Sequence, residues 1–350
     1  MPKVETCSEA RKKTMPELPE VECTARQLRT HVVGATIRDA LVFWERTIGH
    51  PDPADFLAEI ADLQIVAVRR RGKLLVIDLS GDLFLTIHRR MTGNLLLLPP
   101  GWEIDTGLRE TDPLAWSTRG PTFREMATKD EPSTAGQAAI STISRLQPIT
   151  ENETAYCRVC FNFVDGRRLL YTDPRKFGRI DLWSRNREAE AFVGLGMEPL
   201  SDDFTPERLQ QALAKRKGAI KAMLMAQEVM AGLGNIYADE ALFYAFLHPL
   251  RRANSLTPDE IHLLHEGIVS VLTLGIEHGG TSFNDYRDLW GEAGDNYSHL
   301  RVYQQDGKPC VRCGTLIERI VVTQRGTYFC PSCQKLTTRA CGSPCLSSMG

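Results

Sequence analysis

No apolar run in the 350 residues approaches the ~20 needed to cross a bilayer as a helix. The first residues are too polar for a secretory leader. These absences exclude a helical membrane protein and a secreted one, and cytoplasmic residence is the expectation. A basic excess is missing too. Lys+Arg total 42 against 44 Asp+Glu, a formal net charge of −2, whereas nucleic-acid binders are usually basic. That class survives only if the charge is unevenly distributed. Local clusters do occur at Arg69-Arg70-Arg71-Gly72-Lys73, Arg89-Arg90 and Lys215-Arg216-Lys217, while residues 103–153 are net acidic. Each cluster alone reads as a solvated face.

A disulfide framework is also absent. Cys7, Cys23, Cys157, Cys160, Cys341 and Cys345 lie outside any strong metal pattern and read as free thiols of a reducing compartment. Cys157-x2-Cys160 sits in a strand-like run without a second pair. The remaining four cysteines differ. Cys310-x2-Cys313 and Cys330-x2-Cys333 are separated by sixteen residues, a spacing that suits a tetrahedral four-thiolate zinc site with a hairpin between its knuckles. Four thiolates leave no open position. One structural Zn2+ is therefore expected, not a catalytic one.

The length allows two or three domains with a real core. Val21, Ala25, Leu28 and Val32 predict a helix over 21–33. Short β-branched or aliphatic runs then predict strands at 37–43, 65–70, 74–79, 83–87 and 95–98, and again at 156–164, 169–171 and 178–183. Asp165-Gly166 is a hairpin signal, and so many short strands predict a β-sandwich or barrel. From residue 205 the period turns helical, at 206–215, 219–226, 235–246 and 258–274. The expected organisation is α+β and multidomain. It comprises an extension at 1–14, an N-terminal β-sandwich with flanking helices at 15–200 (insertion 101–155), a helical domain at 201–300, a zinc finger at 301–337 and a tail at 338–350.

Met15-Pro16-Glu17-Leu18-Pro19-Glu20 carries the chemistry. If the mature chain begins at Pro16, its nitrogen is a free secondary amine. An α-amino pKa of roughly 8 leaves about a tenth of it neutral at pH 7, several hundredfold more than an ordinary lysine. Such an amine can attack an electrophilic sugar carbon. With residues 1–14 and Met15 attached, the same nitrogen is an amide without nucleophilicity, and the two prolines simply open a helix.

Six segments occur in order: Pro16 to Glu22 (Pro-Glu-Leu-Pro-Glu-Val-Glu), Arg71-Gly72-Lys73, His88-Arg89-Arg90-Met91-Thr92-Gly93, Tyr171 to Gly178 (Tyr-Thr-Asp-Pro-Arg-Lys-Phe-Gly), Gly232 to Ala238 (Gly-Leu-Gly-Asn-Ile-Tyr-Ala), and Gln324-Arg325-Gly326-Thr327 between the cysteine pairs. Together they resemble the formamidopyrimidine-DNA glycosylase family, relatives of endonuclease VIII. The resemblance runs from Met15 to about Lys335 apart from the insertion, and it implies a helix–two-turns–helix element within 201–300.

It further implies a bifunctional glycosylase and abasic-site lyase of base excision repair acting on oxidised purines, 8-oxoguanine and formamidopyrimidines, in double-stranded DNA. Pro16 would form a Schiff base at C1′, with Glu17 as acid/base and Glu20 as an orienting carboxylate, followed by β- and δ-elimination. Met91, Arg175 and Phe177 would fill the gap left by the flipped base. Lys73, Arg325 and Asn235 would hold phosphates, with Lys221 as helper, and the amide N–H groups at the start of the helix containing Asn235 suit an anion. A monomer associated with a bacterial nucleoid is expected. Lys176 departs from a commoner arginine, and residues 279–299 correspond to the segment covering the extruded base. Two other readings remain. A catalytically silent damage binder follows if the extension is retained, and a zinc-ribbon RNA or transcription module would explain the finger but not the Pro16 and Met91 motifs.

Overall fold

The computed structural model describes residues 15–101, 156–283 and 286–336. The expected extension at 1–14, all but the first residue of the insertion, and the tail lie outside the described residues. Helix α1 (Leu18–Val32) starts at Leu18-Pro19, where proline's missing N–H costs nothing. It stops before Gly34, whose φ of +87° ends the turn.

Strands β1 (Ile37–Val42), β2 (Ile48–His50), β3 (Ile65–Arg71), β4 (Leu74–Leu79), β5 (Leu83–His88), β6 (Asn94–Leu98), β7 (Cys157–Phe163), β8 (Arg168–Thr172) and β9 (Arg179–Ser184) build two sheets. One is ordered β1-β7-β8-β6 and the other β2-β9-β5-β4-β3. The β2–β9 pair is parallel; the rest are antiparallel. Alternate residues point inward, with Leu75, Ile77, Leu85 and Ile87 facing Leu95, Leu97, Val159 and Phe161 in one core. Each such side chain contributes about 1.5–3 kcal/mol by leaving water. The expected sandwich is present.

Two elements were not legible beforehand. Strand β2 has three residues and, among the described residues, pairs with β9 alone. Helix α2 (Pro53–Ile60) buries just Phe56 and Ile60, too few apolar anchors to set a period. The helical half contains α3 (Pro206–Ala214), α4 (Ile220–Met225), α5 (Asn235–Tyr244) and α6 (Pro258–Glu277). Strands β10 (Glu318–Val322) and β11 (Arg325–Phe329) form the hairpin between the cysteine pairs.

Helix α1 belongs to both halves. Val21, Ala25, Leu28 and Val32 enter the sandwich core, whereas Leu18 and Cys23 enter the helical core. Its first turn is thus fixed at the seam between the halves, and the Leu18 N–H donates to the Gly232 carbonyl at 3.1 Å. The hairpin module docks on α5 through polar contacts. Glu240 accepts from the N–H groups of Arg301, Val302 and Tyr303 at 2.8–2.9 Å. Asp239 accepts from the Tyr328 N–H at 3.0 Å and from the Lys221 ammonium at 2.6 Å.

The Lys221–Asp239 pair is essentially inaccessible, with side chains 0% and 1% exposed. Removing one partner of a buried pair strands the other charge at a cost of about 3–5 kcal/mol, whereas an apolar replacement of both is far milder. Asp239→Ala is therefore expected to destabilise by about that amount in urea unfolding, and the double variant Lys221→Met/Asp239→Leu to recover part of it, the Tyr328 N–H staying unpaired.

Candidate active site

A cleft of about 740 Å³ opens where sandwich, helical half and hairpin meet. The sandwich contributes Glu17, Lys73, Arg90, Met91 and Phe177; the helical half contributes Asn235 and Gln227; the hairpin contributes Arg319 and Arg325. Met15 also lines it, while Pro16 is buried just behind.

Glu17 sits at the N terminus of α5. Its Oε1 accepts from the Ile236 N–H at 2.9 Å and its Oε2 from the Tyr237 N–H at 3.4 Å. The anion that satisfies this helix end is therefore a side chain of the protein, not the phosphate that the sequence suggested. The approach is so close that a Cβ at Gly234 would overlap the Glu17 carboxyl group. Burial nevertheless dominates. Glu17 is 3% exposed, and desolvation pushes its carboxyl from 4.5 up to about 7 against the opposing pull of Lys73 and the two amides, with Glu20 adding to the rise.

Glu20 is buried beside it. Its Oε2 accepts from the Glu17 N–H at 2.8 Å, and its Oε1 from the Tyr237 hydroxyl and the Thr281 N–H, both at 2.7 Å. Asn296 closes this network by donating to Thr281 Oγ1 at 2.7 Å. Glu20 thus ties α1 to α5 and to the segment after α6. Lys73 follows Gly72, whose φ of +57° turns the chain beside Ala231. Burial pulls the Lys73 ammonium pKa down, and Arg325 adds to this, while Glu17 and Glu20 oppose it.

Met91, Arg175 and Phe177 converge. The Arg175 guanidinium donates to Met91 Sδ at 3.1 Å and lies 4.8 Å from the Phe177 ring centre. Phe177 is 55% exposed, an unusual state for a large apolar side chain unless it meets a partner. One buried carboxylate organises the trio. Asp173 accepts from the N–H groups of Arg175, Phe177 and Gly178 at 3.1, 2.8 and 2.7 Å and from the hydroxyl of Thr92, the neighbour of Met91. Sequence reasoning did not single out Asp173, although it lies inside the Tyr171–Gly178 motif. Tyr237, Thr281, Asn296 and Gln227 were missed as well. Gln227 braces the turns before α5, accepting from the Gly232 N–H at 2.9 Å and donating to the Leu233 carbonyl at 2.8 Å. Their partners are distant in sequence or set by turn geometry, so no periodicity marks them.

Arg325 is exposed next to the hairpin tip, where Thr323 and Gln324 take φ of +46° and +60°. The Asn235 amide donates to the Gly326 carbonyl at 3.0 Å. Lys221 does not line the cleft; it is committed to Asp239. Part of the expected basic surface is likewise committed to ion pairs within the protein. Arg69 pairs with Asp78 and Glu188, Arg70 with Glu22 and Glu198, and Arg71 with Glu198. The cleft's cations are instead Lys73, Arg90, Arg319 and Arg325.

The sulfurs of Cys310, Cys313, Cys330 and Cys333 lie within 4.8 Å of one another. Two of the separations are 3.9 and 3.5 Å, close to the ~3.8 Å edge of a tetrahedron with Zn–S bonds of about 2.3 Å. The four residues fit one structural Zn2+, which would lock the base of the hairpin.

Family models match the chain in the same order. Residues 15–180 match the formamidopyrimidine-DNA glycosylase N-terminal domain, 195–287 its H2TH domain, and 307–336 a zinc finger found in FPG and IleRS. The formamidopyrimidine-DNA glycosylase of Chloroflexus aurantiacus is 39% identical over 91% of this chain and 98% of its own length. That of Symbiobacterium thermophilum is 40% identical over 94% and 92%. The chain belongs to the formamidopyrimidine-DNA glycosylase family. It is accordingly a DNA glycosylase of base excision repair. Among solved structures, the Lactococcus lactis formamidopyrimidine-DNA glycosylase bound to DNA containing an abasic site superposes with a TM-score of 0.71, 31% identity and coverage of 91% of this chain and 99% of the other. The same bacterial enzyme bound to DNA containing a formamidopyrimidine lesion gives a TM-score of 0.70 at 30% identity. Among the described residues no helix is long and apolar enough to cross a membrane.

The raised Glu17 pKa fixes a sign for pH dependence. Between about 4.5 and about 7 the native carboxyl keeps a proton that the unfolded one has released, so stability falls as pH rises through that window and levels off above it. Urea unfolding of the wild type is expected to lose at most about 3 kcal/mol from this group over that range. Glu17→Gln should remove that component, and an unchanged slope in the variant would reject the assignment.

Proposed function

We propose that this glycosylase excises oxidised purines from double-stranded DNA through a mature N-terminal Pro16 and then cleaves the strand as an abasic-site lyase. The observation that carries this reading is Glu17. It is a carboxyl group beside Pro16, lining the cleft and raised to about 7, where a general acid/base works best at neutral pH. Pro16 nitrogen attacks C1′ while Glu17 gives a proton to the sugar ring oxygen as the ring opens. The base departs with the bonding electron pair and a proton, leaving an iminium. The iminium acidifies the adjacent sugar protons, and β- then δ-elimination releases the two phosphates in turn.

Lys73 and Arg325 neutralise phosphates around the lesion, and the Asn235 side chain adds a polar contact. Met91 and Phe177 enter the vacated stack, while Arg175 hydrogen-bonds the orphaned cytosine. Base extrusion costs a few kcal/mol, which this insertion offsets. Glu20 orients Glu17 by accepting its N–H. Lys221 acts indirectly, holding Asp239 beneath the hairpin. The division into a sandwich at 15–200, a helical domain at 201–300 and a finger at 301–337, the monomeric state and nucleoid association in a bacterial cytoplasm belong to the same reading.

One fact favours the alternative of a silent damage binder: with Met15 attached, Pro16 nitrogen is an amide. Borohydride trapping on an abasic duplex separates the two. Protein whose first residue is Pro16 is expected to give a covalent adduct, and protein retaining residues 1–15 none. An adduct formed with the Met15–Pro16 bond intact would overturn the nucleophile assignment. Asp173→Asn tests the wedge. It should slow excision of 8-oxoguanine at least about tenfold, the loss of a charge-assisted hydrogen bond being worth roughly 1.5–3 kcal/mol. Cleavage of a preformed abasic site, which needs no base extruded, should change far less. Equal loss on both substrates would contradict that role.

A further inference from the structure

Away from the cleft, the segment after α6 carries a cluster to which the glycosylase reading assigns no chemistry. His278 caps the C terminus of α6, and Asp295 and His299 belong to the turn that brings the chain back. The two ends are zipped together at that point. The Asp295 N–H donates to the His278 carbonyl at 2.9 Å, and the Asn296 N–H to the Gly280 carbonyl at 3.2 Å. This backbone pairing brings three side chains together that are 4 to 21 positions apart in the chain. Their ligand atoms all lie within 4.8 Å of one another. The imidazoles of His278 and His299 stack with centres 3.6 Å apart. Neither imidazole has a hydrogen-bonding partner among the described residues, so their ring nitrogens are uncommitted.

The surroundings favour a cation. His278 and Asp295 line a pocket of about 360 Å³ whose wall also carries Glu277, Asp288 and Glu292. No lysine or arginine is among its lining residues; His299 faces the neighbouring pocket, which Arg301 and Arg312 also line. The His278 pocket shares no lining residue with the DNA cleft.

We propose that His278, Asp295 and His299 form a second metal site, separate from the four cysteines, for a divalent transition ion such as Zn2+, Co2+ or Ni2+. Two imidazoles select this class over Mg2+ or Ca2+, which prefer all-oxygen ligands. Ligand bonds of about 2.0–2.2 Å put donor atoms roughly 3–4 Å apart, and binding requires the two imidazoles to rotate out of their stack so that the in-plane nitrogen lone pairs of both reach one ion. The remaining coordination positions belong to water. One ligand precedes residues 279–294 and two follow them, so the ion pins both ends of that segment. Thr281, three residues after His278, and Asn296, next to Asp295, hold Tyr237 beside Glu20.

Equilibrium dialysis of the untagged full chain against Co2+, with metal counted by mass spectrometry and followed by absorption, tests this. The wild type is expected to take up two ions per chain, one showing thiolate-to-metal charge transfer and one without it. His278→Ala and His299→Ala should each keep the charge-transfer ion and lose the other. Asp295→Asn should weaken the second ion at least about tenfold, since loss of even an outer partner costs about 10–100-fold. The retained charge-transfer band and an unchanged far-ultraviolet dichroism report that the variants fold. One ion in the wild type, or two in both histidine variants, overturns the proposal.

Discussion

Two carboxylates buried side by side at the start of α1 are the constraint on which the rest of the architecture depends. Glu17 satisfies the amide end of α5, and Glu20 joins Tyr237 and the Thr281 backbone. An uncompensated carboxylate would be expelled from such a place. It stays because helix amides, a tyrosine hydroxyl and the nearby Lys73 face it. Through these contacts the seam between sandwich and helical half has a single register, and the residues adjoining Pro16 cannot be displaced without unpairing several buried donors. The same burial that threatens stability gives Glu17 a proton affinity suited to neutral pH.

Electrostatics are sorted by location, not by total. A chain of net charge −2 is an unpromising partner for a polyanion when only its sum is considered. The Arg69-Arg70-Arg71 run, its densest basic stretch, is consumed by Asp78, Glu188, Glu22 and Glu198 and works as a clamp between β3 and the start of the helical half. Cations left facing the cleft come from three separate parts of the chain: Lys73, Arg90, and the hairpin arginines Arg319 and Arg325. Association with DNA should therefore depend on few contacts and on salt.

Asp173 plays beside Met91, Arg175 and Phe177 the part that Glu20 plays at the seam. A short polar side chain, 1% exposed, gathers amide donors from the 175–178 turn and the hydroxyl next to Met91. Exposed Phe177 can thereby be presented without a hydrophobic cradle of its own. The zinc-finger hairpin is held in the same manner, by Asp239 and Glu240 reaching from α5. In each place a buried acid serves as a hub for backbone amides, which fixes loops more sharply than apolar packing does.

The sequence by itself determined the sandwich strands, α1, the main helices and the four-cysteine site, because these rest on local periodicity and on ligand spacing. The Met91, Arg175 and Phe177 positions and the Pro16–Glu17 opening were legible as motifs. Helix α2 and strand β2 were not, since two anchors or three residues carry no period. Only the tertiary structure decided that the amides in the first turn of Asn235's helix are filled by Glu17, that Lys221 is buried against Asp239, and that His278 meets Asp295 and His299. The reason is physical: burial, charge pairing and hydrogen-bond direction depend on residues far apart in the chain, and a one-dimensional pattern records neither distance nor desolvation.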